Sequence, residues 1–128
     1  MKKIIITQYA PMPIGPYNQG VLSGNTLYTS GQIAINPETG ELEIDEIKSE
    51  TKLVMENLRA VLLEANMDFE NIVKCSIFIS DMNNFTQINE VYGSYFTDDF
   101  PARETVEVAC LPKNVNVEIS AIACNTDL

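Results

Sequence analysis

Between Ile47 and Ser80 the chain changes its hydrophobic period in mid-course, and few folds accommodate that change over so short a distance. From Ile47 to Asn66 the apolar residues Leu53, Val54, Leu58, Val61, Leu62 and Ala65 recur at steps of three and four, with Lys52, Glu56, Arg59 and Glu64 between them. That spacing predicts a long helix with one apolar face. A few residues later "NIVKCSIFIS" alternates at a step of two. Val73, Cys75, Ile77 and Ile79 point one way, Lys74, Ser76 and Ser80 the other, with Phe78 the exception on the polar side. This is a strand, and a one-faced helix leading into it packs on a sheet.

The remaining segments fill out the sheet. A short strand at Lys3 to Thr7 runs into "QYAPMPIGP", where Pro11, Pro13 and Pro16 exclude a helix. Strands at Tyr17 to Leu22 and Thr26 to Ala34 join at "SGNT" as a hairpin, and "NPETGE" is a turn, with Pro37 and Gly40 suitably placed. A second helix, Asn84 to Phe96, carries Phe85, Ile88, Val91, Tyr92, Tyr95 and Phe96 on one stripe. Pro101 then opens strands at Arg103 to Cys110 and Val115 to Cys124. The order predicts one α+β domain over residues 1–128, a sheet with both helices on one face. The last strands carry apolar residues at both parities, Val106 and Val108 against Ala109, and Val117 and Ile119 against Ile122. The second face therefore needs a cover that two helices cannot supply, which implies a homo-oligomer.

Charge and absences remove several function classes. The chain carries 18 acidic against 8 basic residues and no histidine, a net charge of −10. Such a field repels nucleic acid and anionic membranes, and the lysines are too scattered to form a basic face. Without histidine there is no imidazole base, His-based triad or His-Glu zinc motif. "GPYNQG" lacks a nucleotide-binding glycine pattern, no carboxylate spacing points to a metal, and no segment reaches membrane-span length. Cys75, Cys110 and Cys124 are odd in number, lack Cys-x-x-Cys spacing and fall in strand-like segments, as reduced core or interface thiols of a cytoplasmic protein do.

The candidate chemistry lies in "DFPARETVEVACLPKNVNVEIS". By alternation Arg103, Thr105 and Glu107 share one face of their strand, and Glu118 and Ser120 share one face of the next. If Val106 and Val108, like Val117, Ile119 and Ala121, face the helices, Arg103, Thr105, Glu118 and Ser120 all project from the opposite, subunit-facing side. Arg103 is then either a structural ion pair, with Glu118 as a candidate partner, or part of a site, and Glu118 is either a surface glutamate on an edge or part of that site. Tyr17 is either a core aromatic with its hydroxyl at the rim or a site wall. Ser30 and Gly31 in "YTSGQIA" are either no more than a strand bulge or a bulge that offers its backbone to a ligand. A guanidinium fork beside a free backbone N–H at a bulge suits a small carboxylate ligand.

The blocks "APMPIGPYNQG", "TSGQIAINPETGE", "NLRAVLLEAN", "IVKCSIFISDMNNFTQINEVYGSYF" and "FPARETVEVACLPKNVNVEISAIA" together resemble the reactive-intermediate deaminase family, also known as RidA or YjgF, from about Ile4 to Ala123. The resemblance implies a chorismate-mutase-like protomer and a homotrimer whose sheets line a central barrel. It further implies clefts between subunits and a cofactor-free hydrolysis of 2-imino acids or enamines to 2-oxo acids and ammonia. Carried over, Arg103 binds the substrate carboxylate with the Gly31 backbone, and Glu118 holds the attacking water. Tyr17, Ser30, Asn89, Thr105 and Pro112 surround the cleft. A non-catalytic sensor binding small carboxylates in that cleft is the alternative.

Two residues leave the family's pattern. Glu104 stands where a small residue is usual and Thr105 where many relatives carry cysteine. Glu104 is expected to point away from Arg103, and a buried carboxylate there would need a partner. With no histidine available, a shallow pH dependence near neutrality is expected.

Overall fold

The two clean alternations, residues 72–79 and 117–124, become the centre of the sheet. The protein is described from a computed structural model, residues 1–125. Its elements are β1 (Lys2–Ile5), β2 (Gly20–Ser23), β3 (Thr26–Thr29), α1 (Ile47–Glu64), β4 (Ile72–Ile79), α2 (Phe85–Gly93), β5 (Ala102–Glu107) and β6 (Val117–Cys124). The strands form one mixed sheet in the order β1-β2-β3-β6-β4-β5. All neighbours are antiparallel except β4 and β5, whose crossover is α2.

Both helices cover one face, as expected. Val54, Met55, Leu58, Val61 and Leu62 of α1 and Ile88 and Tyr92 of α2 share a core with Leu27, Cys75, Ile77, Ile79, Val117, Ile119 and Ala121. The Glu46 carboxylate caps α1 by accepting from Lys48 N at 3.0 Å, and Asn66, left-handed at φ 59°, ends the turn beyond it. The Pro-rich loop is wired by a buried side chain. Gln19 Oε1 accepts from Thr7 N at 2.7 Å while Nε2 donates to the carbonyls of Thr7, Ala10 and Pro11. No helix is long and apolar enough to cross a membrane among the described residues.

Several boundaries differ from the sequence reading. A register shift between Ile72 and Lys74 lets Ile72, not Val73, enter the core, so Val73 is exposed. The α2 helix stops at Gly93, and Tyr95 and Phe96 fold back onto Phe69 with ring centroids 5.0 and 5.8 Å away. Tyr17 precedes β2, and β5 ends at Glu107, leaving Cys110 exposed in a loop.

The second face is partly covered by the chain itself. Ile33, Leu111 and Val115 form a small second core, against which Phe78 and Val108 pack. Tyr28 and Val106 remain exposed there, at 50% and 42%.

Candidate active site

The register overturns one expectation. In β4 and β5, Cys75 lies beside Arg103 and Ile77 beside Thr105, whereas Ser76 lies beside Glu104 and Phe78 beside Val106. In β4 and β6, Phe78 lies opposite Glu118 and Ile77 opposite Ile119. Arg103 and Thr105 therefore share the helix face with Cys75 and Ile77, while Glu118 and Ser120 lie on the open face. The premise that failed was the placement of Val106. It and Val108 face away from the helices, so an apolar pair was read as core when it belongs to the uncovered side. Within one protomer Arg103 and Glu118 stand two strands apart on opposite faces, and neither forms an ion pair among the described residues. The structural ion pair between them is thereby excluded within the protomer.

Arg103 is held by α2. Nη1 donates to Asn89 Oδ1 at 2.6 Å, and the guanidinium carbon lies 5.2 and 5.7 Å from the ring centroids of Tyr92 and Phe85. Phe85, Asn89 and Tyr92 recur at steps of four and three, so one helix face supplies both the rings and the amide. Sequence reading placed Phe85 and Tyr92 on the apolar stripe and missed them as a platform for a cation. Asn89, Tyr92, Phe100, Pro101 and Arg103 line an open cleft of about 480 Å³. Thr105 Oγ1 beside it is buried and makes no hydrogen bond among the described residues. Burial pushes the Cys75 thiol up to about 11, which leaves no thiolate nucleophile there at neutral pH.

Glu118 belongs to a different cleft, lined by Tyr17, Gly31, Ile33, Pro112 and the Pro-rich loop. An extra residue between Tyr28, opposite Ile122, and Gln32, opposite Ile119, makes the expected bulge at Ser30 and Gly31. The Ser30 hydroxyl donates to the Asn18 carbonyl, and Ser30 N donates to Gln19 O at 2.9 Å, so Ser30 ties down the bulge. Tyr17 Oη accepts a long 3.4 Å bond from Ile14 N. Glu118 is half-buried, and desolvation holds its carboxyl above the ordinary value.

Gly31 is required by contact rather than by φ. A Cβ there would lie 2.8 Å from Glu118 Cγ and closer still to the carboxylate. Gly31→Ala is therefore expected to push the Glu118 side chain aside, at a cost of about 1 kcal/mol or less in urea denaturation. Adding Glu118→Ala should recover much of that loss, which a double-mutant cycle would measure.

Glu104 points away from Arg103, as expected, and has partners. Its carboxylate accepts from the Ser76 hydroxyl and pairs with Lys74 Nζ at 3.0 Å, which holds it below the ordinary value. A larger hollow of about 530 Å³ between α1 and α2 contains Lys48, Lys52 and Arg59. Lys48 is already paired with Glu90 at 3.0 Å and Arg59 with Glu56 at 3.2 Å, so it offers little free charge.

Residues 7–125 match the family model described as Endoribonuclease L-PSP. A RutC family protein of Pyrococcus horikoshii is 47% identical over 96% of this chain and 98% of its own. TdcF of Escherichia coli, provisionally named a reactive intermediate deaminase, is 47% identical over 96% of this chain and 97% of its own. A crystal structure of TdcF with bound serine superposes with a TM-score of 0.93, at 44% identity, covering 97% and 99% of the two chains. AldR of Lactococcus lactis, provisionally named a regulator, is 46% identical over 94% and 96%.

Proposed function

Because the chain belongs to the endoribonuclease L-PSP family, the family of the RidA and YjgF proteins, we propose that it hydrolyses reactive 2-imino acids and their enamine tautomers to 2-oxo acids and ammonia. The separation of Arg103 from Glu118 carries this reading. Neither has a countercharge among the described residues, and the open sheet face, where Tyr28 and Val106 are exposed among polar neighbours, is left for another copy of the chain. In a homotrimer with the sheets facing inward, Arg103 of one protomer meets the Glu118 cleft of its neighbour.

The chemistry needs little beyond positioning. A protonated imine carbon is already electrophilic. Arg103 and the Gly31 N–H bind the carboxylate, and Glu118 takes a proton from water as the water oxygen bonds to that carbon. Glu118 returns its proton to the carbinolamine nitrogen, and as the C–N bond breaks the regenerated carboxylate takes the hydroxyl proton, leaving the 2-oxo acid and ammonia, which carries that proton away as ammonium. Tyr17, Pro112 and Thr105 shape the cleft, and Asn89 sets Arg103. Ribonuclease chemistry is disfavoured by the charge of −10 and the absence of histidine.

The test generates 2-iminobutanoate or 2-iminopropanoate in situ and follows 2-oxo acid release. Acceleration by the wild-type trimer is expected. The name of AldR favours a second reading, a sensor of small carboxylates at the same cleft. Binding without acceleration across several imino acids, by folded trimer, would select it.

A further inference from the structure

We infer that Glu50, outside either cleft, is a positioning residue for the Glu118 half-site, clamping Asn116 and so fixing the loop that carries Pro112 and the strand that carries Glu118. Glu50 lies in the first turn of α1 and is fully buried, at 0% exposure. Its Oε2 accepts from Asn116 N at 2.8 Å and its Oε1 from Asn116 Nδ2 at 2.7 Å. No lysine or arginine pairs with it among the described residues. Burial raises its carboxyl above the ordinary value, opposed by the two Asn116 bonds and by the Val117 backbone.

A carboxylate buried without a cation is costly, and α1 has no need of it, being capped by Glu46 and packed by its apolar stripe. The need lies in the loop before β6. Lys113 and Asn114 are both left-handed, at φ 55°, and neither is glycine. Such backbone persists only where its surroundings fix it. Asn116 supplies the fixing: its carbonyl accepts from Ser80 N at 3.1 Å, and its N–H and side-chain amide end on Glu50. Pro112, four residues back, walls the Glu118 cleft, and Glu118 is two residues on.

The kinetic arm of the test rests on the hydrolytic reading, and the exchange arm does not. Glu50→Ala leaves two partly buried Asn116 donors without an acceptor. Its kcat on in situ 2-iminobutanoate should fall about ten- to a hundredfold, as for a modest misplacement of a catalytic group, with KM within about twofold because Arg103 is untouched. Amide hydrogen exchange should accelerate selectively over residues 111–118. Glu50→Gln should restore both, since its Oε1 accepts from Asn116 N and its Nε2 donates to Asn116 Oδ1 once that amide turns over. Unchanged kcat and exchange in Glu50→Ala would overturn the inference. So would accelerated exchange throughout the molecule with kcat and KM falling together, or Glu50→Gln failing as badly as alanine. If wild-type protein turns over no imino acid, the hydrolytic reading fails, and the confined exchange response with glutamine rescue still decides the clamp.

Discussion

Arg103→Ala should lower kcat/KM on 2-imino acids by about a hundred- to ten-thousandfold, mostly through KM. The loss is that of a charge-assisted, two-pronged hydrogen bond to the carboxylate, each prong contributing about 1.5–3 kcal/mol. Arg103→Lys should rescue poorly, remaining about tenfold or more below wild type. The ammonium keeps the charge but lacks the planar fork, and the Phe85 and Tyr92 rings and Asn89 Oδ1 are arranged for a guanidinium. Arg103 is exposed and outside the hydrophobic core, so the melting temperature should move little. Titrating a small 2-oxo acid product into each variant separates binding from turnover. Full-strength binding by Arg103→Ala would remove Arg103 from the carboxylate site.

What the sequence revealed follows from which physical signals are periodic. The step of three and four in α1 and the step of two in β4 and β6 are repeated many times, so these elements and their shared core were legible. The facing of β5 was not. An edge strand with Val106 and Val108 on one side and Arg103 and Thr105 on the other looks like a strand with its apolar side inward. Here the inward side is the polar one, covered by α2, and the valines face the open side. Gly31 was legible as a bulge, but the close approach of Glu118, which a side chain there would displace, is a contact between residues 87 positions apart. Glu50 was invisible for a related reason. A glutamate in the first turn of a helix ordinarily reads as a solvated group favoured by the helix dipole, and only the fold brings Asn116 to it.

Glu118→Gln gives the second large effect and, combined with the first, a test of the shared site. Glutamine preserves size and one acceptor oxygen but cannot take a proton from water. The kcat should fall about a hundred- to ten-thousandfold with KM nearly unchanged, the reverse of the Arg103→Ala pattern. The pH profile gives the sign independently. The working form is the carboxylate, so wild-type activity should be flat near neutrality and decline as pH falls through the Glu118 pKa. Burial raises that value, so the decline begins at a higher pH than an unshifted carboxylate would give, and the residual activity of Glu118→Gln should lack this limb. Because Arg103 and Glu118 occupy opposite faces of one protomer, the two inactive variants should complement each other when unfolded together and reassembled. In a random equal mixture about one quarter of the clefts pair an intact Arg103 from one protomer with an intact Glu118 from its neighbour, and activity should return to about that fraction of wild type. A lack of recovery from reassembled mixtures shown to contain both variants in one oligomer would overturn the shared cleft.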